Sequence, residues 1–247
     1  MTPHVWNRPA EEGDSPGEPA ERPAWKICAI VPAFNETDVI ADVVTCARRY
    51  VAEVVVIDDG STDETYAQAK QAGATCLRLA QNSGKGTAVR LGLDYVRDRG
   101  FTHVLFMDGD GQHRPEDIPR LIAGAHNGAA MVIGTRSFDK VAMPASRHFS
   151  NTVGSRIASK LVGRHVLDSQ SGFRLVRLDA LRPLRLRSRR YEFEMELLIK
   201  LCRHGATLVH VPVAAVYDGG MARSKMRPVR DTIWICVCSL IYRFGRP

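Results

Sequence analysis

At 247 residues, 45% of them apolar, the chain is long enough to bury one sizeable core, and it fits a single α/β domain with short additions. A formal net charge of +7 asks for an anionic partner: a nucleotide, a phospholipid surface or a nucleic acid. Six cysteines lie scattered in apolar segments without a Cys-x-x-Cys pair or Cys/His ligand spacing, which argues against zinc and a disulfide framework and fits a reducing, cytoplasmic setting.

Residues 1–24 are rich in Pro, Glu, Gly and Asp and have no periodicity, so a disordered tail is expected. They contain no apolar signal core, and no apolar run in the chain approaches the roughly 18 residues of a membrane span. The expectation is a cytoplasmic protein, with the inner membrane face as a peripheral contact. Lys26 to Val31 reads as a buried strand. Pro-Ala-Phe-Asn-Glu follows, and a helix is predicted from Glu36 to Tyr50. The start of that helix suits a polar or anionic ligand, with Pro32, Phe34 and Glu36 lining its mouth, although capping accounts equally well for Asn35 and Glu36.

Glu53 to Ile57 is a second buried strand and ends in Asp58-Asp59-Gly60-Ser61-Thr62-Asp63. Ser61 or Thr62 can cap the next helix. Capping leaves Asp58 and Asp59 unexplained, and one of them is a candidate acceptor for a base or ribose, by analogy with the acids after Rossmann strands. Ala74 to Leu79 is a third strand. Asn82-Ser83-Gly84-Lys85-Gly86 then opens a helix to about Arg99. Its Gly-Lys-Gly resembles a phosphate loop without the full P-loop spacing, and Lys85 is its candidate phosphate ligand.

The stretch from His103 to His113, HVLFMDGDGQH, is the centre of the reading. A short apolar run breaks off into Asp108-Gly109-Asp110-Gly111-Gln112. Carboxylates at the end of a buried strand must be paired, hydrated or metal-bound. Asp, Asp and Gln are hard oxygen donors that suit Mg2+ or Mn2+. Asp and Gly are also ordinary turn residues, so the triplet gains weight from the other segments.

Further on, Pro115 to Ala125 reads as helix and Met131 to Gly134 as strand, closing on Thr135 and Arg136. Ala145 to Val162 is helical and contains Arg147. Asp168-Ser-Gln-Ser-Gly-Phe-Arg174 leads into a short strand ending at Val176. Leu181 to Arg190 holds five arginines, which form either a solvated loop or a lipid-surface patch. Tyr191 to Arg203 is helical and Leu208 to Val213 is the last strand. Residues 219–247 form a basic loop and an amphipathic helix that either lies in a membrane interface or docks on the protein. Strands alternating with helices predict a mostly parallel sheet with helices on both faces, over residues 25–218.

Four segments together resemble family 2 glycosyltransferases of the GT-A fold: Val31-Pro-Ala-Phe-Asn-Glu36, Val56-Ile-Asp-Asp-Gly-Ser-Thr-Asp63, Asn82-Ser-Gly-Lys-Gly86 and Asp108-Gly-Asp-Gly-Gln-His113. Ile133-Gly-Thr-Arg136, Asp168 to Arg174 and Phe193-Glu-Met-Glu-Leu-Leu198 point to the dolichyl-phosphate mannose synthase-like branch. The resemblance implies a Rossmann-like single domain. It implies that Pro32, Phe34, Glu36, Ile57 and Asp59 hold the nucleoside of a nucleotide sugar. Asp108, Gly109, Asp110 and Gln112 would meet the diphosphate and its metal, with Asp108, Asp110 and Gln112 as the ligands. Arg136 would face the phosphates or the acceptor, and Lys225 would lie near the diphosphate. The branch usually has an arginine and a glycine just before its Ser-Lys pair, whereas this chain reads Gly219-Gly-Met-Ala-Arg-Ser-Lys225.

The implied reaction is an inverting, metal-dependent transfer from a GDP- or UDP-sugar, with Asp110, Arg136 and Arg147 as the catalytic candidates. A polyprenyl phosphate acceptor needs only to be positioned, and Arg136 with Arg147 would clamp it. A soluble hydroxyl acceptor would need a base, and Asp168 and Glu194 are the candidates. Nucleic-acid binding fits the net charge but not the acids at two strand ends, which would repel phosphates without a metal.

Overall fold

A computed structural model of the chain describes residues 25–136, 145–214 and 228–244. Seven strands form one sheet: β1 (Ile27–Ala33), β2 (Glu53–Asp58), β3 (Thr75–Arg78), β4 (His103–Phe106), β5 (Met131–Arg136), β6 (Arg174–Arg177) and β7 (Leu208–Val213). Among the described residues the helices are α1 (Ile40–Ala47), α2 (Thr65–Gln71), α3 (Lys85–Val96), α4 (Ile118–Ala125), α5 (Ala145–Val162), α6 (Leu178–Leu181), α7 (Phe193–Arg203) and α8 (Pro228–Phe244). A 3-10 turn, Pro115–Asp117, precedes α4. The tail at 1–24, the basic stretch at 219–227 and the last three residues lie outside the described residues.

The strand order is β3-β2-β1-β4-β6-β5-β7. All neighbours pair in parallel except β6, which runs antiparallel to both β4 and β5. This places the site. The parallel strands β1, β2, β4 and β5 deliver their carboxyl ends to one edge of the sheet, and β6, running the other way, delivers its leading loop there.

Alternation along β1 divides the core into two layers. Ala29 and Val31 face one side with Ile40 and Val44 of α1 and Leu121 of α4. Cys28 and Ile30 face the other with Val89 of α3 and Leu197 and Leu198 of α7. Strands buried on both faces are continuous apolar runs, which is how Glu53 to Ile57 reads.

Two elements differ from the sequence expectation. The helix predicted from Glu36 begins at Ile40. Asn35 takes a left-handed φ of 52°, and the next two residues are held in the loop by side chains from beyond β2. The second helix is capped neither by Ser61 nor by Thr62. It starts at Thr65, whose backbone N–H donates to Asp63 Oδ1 at 3.0 Å.

Candidate active site

The site begins where β1 and β2 end, because their loops are stitched together. Asn35 N donates to Ser61 Oγ at 2.9 Å, Glu36 N to Thr65 Oγ1 at 2.8 Å and Thr37 N to Asp63 Oδ2 at 3.3 Å. In return Thr62 N donates to Asn35 Oδ1 at 2.9 Å. These bonds occupy the N–H groups of residues 35–37, where the anion-binding helix start was expected, and α1 itself begins only at Ile40, so that expectation is corrected. Pro32, half-buried at the end of β1, lines the cavity into which Lys85 points, and Phe34, Asn35 and Glu36 follow it in the loop.

Asp58 and Asp59 are both buried. Asp58 Oδ1 accepts from Ser61 N at 2.9 Å, and its Oδ2 lies 3.1 Å from Arg78 Nε. Asp59 accepts from Ser83 N at 2.7 Å and Gly84 N at 2.9 Å. Burial raises the Asp59 pKa above its ordinary value, against the pull of those two hydrogen bonds. Asp59 thus fixes the turn that presents Lys85. Ile57 is wholly buried and packs against α3, where a Cβ at Gly92 would lie 2.9 Å from its Cδ1, so its side chain belongs to the core and not to the cleft.

The Gly-Lys-Gly turn is not a phosphate cradle. A Cβ on Gly84 would lie 2.5 Å from Arg189 O, and one on Gly86 would lie 2.6 Å from Ser188 O. Arg189 O also accepts from Thr87 N at 3.2 Å in the first turn of α3. The glycines admit the 188–190 backbone, and that backbone covers the helix start. Two acids of the α7 segment hold the loop in place. Glu196 accepts from Arg187 N at 2.9 Å and Ser188 N at 2.8 Å, and Glu192 accepts from Arg189 N at 2.9 Å.

Lys85 points into a cavity lined by Pro32, Asp108, Gly172, Phe193 and Glu194. Its ammonium contacts Asp108 Oδ1 and lies 2.6 Å from Glu194 Oε1. Burial disfavours the charged amine, but the two carboxylates outweigh it and keep Lys85 protonated. Burial likewise pushes the Asp108 carboxyl up, and Lys85 and His113 pull it well below the usual carboxylate range. His113 Nε2 lies 3.6 Å from Asp108 Oδ2, and its ring stacks on Phe173 at 5.2 Å.

In the turn itself, Gly109 is buried and donates its N–H to Pro32 O at 3.2 Å. A Cβ there would crowd Ala33 and Pro32 at 3.1 Å, so packing explains this glycine. Gly111 takes the left-handed φ, 75°, that reverses the chain. Asp110 Oδ1 accepts from Gln112 N at 3.0 Å, which folds Gln112 back towards the acids. Burial and the negative charge of Asp108 both raise the Asp110 pKa.

Among the described residues no three of His, Cys, Asp or Glu form a cage complete in itself. Asp108 and Asp110 offer two carboxylates and Gln112 an amide oxygen. Asp108 and Glu194 share the one Lys85 ammonium, and Asp110 stands beside Asp108 with no ion pair of its own among the described residues, so acidic oxygens crowd this turn. Oxygen donors crowded in this way fit Mg2+ or Mn2+, with further ligands from a bound diphosphate.

Beside this cluster, Arg136 at the end of β5 pairs with Asp168. Arg136 Nε lies 2.8 Å from Oδ2 and Nη2 lies 2.9 Å from Oδ1, a bidentate geometry. Burial raises the proton affinity of Asp168, and Arg136 overcomes it and holds the carboxyl below its ordinary range. The Asp168–174 loop is built around Arg174. That side chain is fully buried and donates to Ser169 O at 2.7 Å, Ser171 O at 2.8 Å and Glu194 O at 2.6 Å.

The structure therefore gathers Lys85, Asp108, Asp110 and Gln112 in one place, with Pro32 beside them and Arg136 at the next strand end. Lys225 lies outside the described residues, as does Arg223. Arg147 lies on α5, but its side chain is outside the described ones. Gly172 and His113 join the site beyond the candidates named from sequence. His113 stands directly after Gln112, which is a signal. Nothing local marks Gly172, whose role depends on β6 returning beside β4.

A family model described as Glycosyl transferase family 2 matches residues 28–185. A UDP-N-acetylglucosamine–dolichyl-phosphate N-acetylglucosaminyltransferase from Methanococcus voltae is 32% identical over 222 residues, covering 80% of this chain and 88% of that one. An undecaprenyl-phosphate mannosyltransferase from Micrococcus luteus is 30% identical over 214 residues, covering 81% of this chain and 87% of that one. The fold matches glucosyl-3-phosphoglycerate synthase from Mycobacterium tuberculosis, crystallised with Mn2+ and UDP-glucose. The TM-score is 0.66 at 22% identity, covering 91% of this chain and 80% of that one.

Proposed function

The chain belongs to glycosyl transferase family 2, and from that premise we propose that it moves a sugar from a GDP- or UDP-linked donor to a polyprenyl phosphate. The transfer inverts the anomeric carbon and uses Mg2+ or Mn2+ held by Asp108, Asp110 and Gln112. The observation that carries the reading is the acidic turn after β4 with Lys85 set into it. The printed names of the Methanococcus and Micrococcus relatives, both of which include a polyprenyl phosphate, support the acceptor.

The donor's glycosidic bond breaks with charge gathering on the departing diphosphate. A divalent cation bound there supplies Lewis-acid stabilisation of that charge. Lys85 adds an ammonium in a part-buried cleft, where a hydrogen bond to a phosphate oxygen is stronger than in water. Pro32, Phe34 and Glu36 are the candidates for the nucleoside, Asp59 sets the turn that presents Lys85, Gly109 belongs to the backbone beneath the diphosphate, and Lys225 is a further candidate for the diphosphate. Arg136, oriented by Asp168, takes the acceptor phosphate with Arg147.

A phosphate acceptor is already ionised at neutral pH and attacks without a general base. The alternative, a soluble hydroxyl acceptor, needs one. The two acids able to serve are both engaged, Asp168 by Arg136 and Glu194 by Lys85, which supports the phosphate. A polyprenyl acceptor lies in a bilayer, so the chain works as a peripheral protein at its cytoplasmic face. Among the described residues no helix is long and apolar enough to cross a membrane.

A screen of GDP- and UDP-sugars with Mg2+ or Mn2+, with and without a short polyprenyl phosphate, tests the reading. Transfer that requires both the cation and the lipid phosphate is expected. Equal transfer to a simple alcohol would point to the hydroxyl reading.

A further inference from the structure

The last helix has two apolar faces. Its inner face, with Ile235, Cys238 and Ser239, is buried against α5 and α7. Its outer face exposes Trp234 at 56%, Val237 at 47%, Leu240 at 51% and Ile241 at 61%. At 100° per residue these four fall within one stripe about 120° wide, opposite the buried one. Side chains of this size, about half exposed or more along one stripe, are a surface feature that asks for a partner.

The arginine loop reaches the same helix from its inner side, at Tyr242. Arg182, Arg185, Arg187, Arg189 and Arg190 are all exposed. Lys200 of α7 joins the two features. Its ammonium donates to Arg185 O and sits 5.8 Å from the centre of the Tyr242 ring on α8. Arg203 donates to Tyr242 O at 2.9 Å. Arg243, next along α8, is exposed as well. At its far end the same loop caps α3 through Arg189 O, two residues from Lys85. Basic side chains thus reach from the inner edge of α8, at Tyr242, along the arginine loop to the start of α3 beside Lys85.

We infer that the outer face of α8 and the 182–190 arginine loop together form a docking surface for an anionic lipid bilayer, with the stripe entering the acyl boundary and the arginines meeting lipid phosphates. This rests on the polyprenyl-phosphate reading for its purpose but not for its geometry. Charge selects the bilayer over a second copy of the chain. Two copies meeting through this face would bring two arginine loops together in a protein already at +7, whereas anionic headgroups neutralise them. A Trp at the margin of such a stripe matches the headgroup depth that indoles favour.

The experiment is vesicle co-sedimentation of the full chain with phosphatidylglycerol/phosphatidylcholine vesicles and with phosphatidylcholine alone. Two double variants accompany it, Trp234→Gln with Ile241→Gln and Arg185→Gln with Arg187→Gln. Thermal midpoints and gel filtration are run on each protein. Binding to the anionic vesicles is expected, weakened by salt, and reduced about tenfold or more by the arginine variant and by the apolar one. Both variants should keep the wild-type midpoint and wild-type turnover of a water-soluble short-chain polyprenyl phosphate. Vesicle binding that is absent, or unchanged in both folded variants, overturns the inference, as does a stable dimer that Trp234→Gln with Ile241→Gln dissolves. If the vesicles bind as expected but no polyprenyl phosphate is used, the docking surface stands and the acceptor reading fails.

Discussion

A Cβ on Gly172 would lie 2.6 Å from Asp108 Oδ2, and 2.9 Å from the Lys85 ammonium that Asp108 holds. The Gly172 backbone is one that any residue adopts, so the constraint is purely one of space. Gly172→Ala should therefore leave the fold intact and push Asp108 and Lys85 apart. Overpacking of this kind costs about 1–3 kcal/mol. Donor binding should weaken by about tenfold or more, as measured by nucleotide-sugar titration, with an unchanged far-UV spectrum. Wild-type donor affinity in the variant would show that the pair has no part in binding.

Asp168 is assigned to orient Arg136. In Asp168→Asn the bidentate pair is lost and a part-buried guanidinium remains, which should destabilise the protein by about 3 kcal/mol. KM for the acceptor should rise while donor affinity stays near wild type. Arg136→Lys should show the same split, because an ammonium cannot make the planar two-point contact. A variant that loses donor binding and keeps its acceptor KM would reverse the assignment.

Glu194 separates the two acceptor classes. If it only holds Lys85, Glu194→Gln keeps a hydrogen-bonding partner for the ammonium, and turnover should fall by no more than about tenfold with an unshifted pH profile. If it were the base for a hydroxyl acceptor, the rate should fall by about 10²–10⁴ and the acid limb of the profile, where a base becomes protonated, should disappear.

Acid stability should depend on Glu196. Burial raises its pKa, but the hydrogen bonds from Lys200, Ser188 and Arg187 reverse this and hold it below the ordinary value. A depressed carboxylate contributes stability above its unfolded pKa, about 4.3, and that contribution is lost as pH falls through the lower folded value. The thermal midpoint of wild type should drop below about pH 4.5. Glu196→Gln should be less stable at neutral pH and show a flatter acid limb. An identical limb in both proteins would remove Glu196 from the account.

Much of the fold is legible in the sequence because buried parallel strands are short apolar runs broken by Asp and Gly. Glu53 to Ile57 and Leu208 to Val213 are found within a residue of their observed bounds. The acidic turn is legible for the same reason, since Asp108 and Asp110 follow directly on such a run. The role of each glycine and acid was harder to read. Gly84 and Gly86 suggested a phosphate loop, yet they make room for Ser188 and Arg189, a hundred residues later in the chain. Asp59 suggested a ribose ligand, yet in the structure it is bonded to the turn before Lys85. Each of these depends on long-range packing, which local spacing does not encode. The antiparallel β6 was equally unreadable, because a four-residue strand has the same pattern in either direction.

The central claim is that a divalent cation joins Asp108, Asp110 and Gln112 to the donor diphosphate. Calorimetric titration of GDP and UDP into the full chain, with Mn2+ and then with EDTA, tests it most directly when repeated on Asp110→Ala. The account predicts that one nucleotide binds with Mn2+ and that binding weakens at least about tenfold both in EDTA and in Asp110→Ala. Nucleotide affinity that is equal with Mn2+ and with EDTA, and untouched by the loss of Asp110, would contradict it.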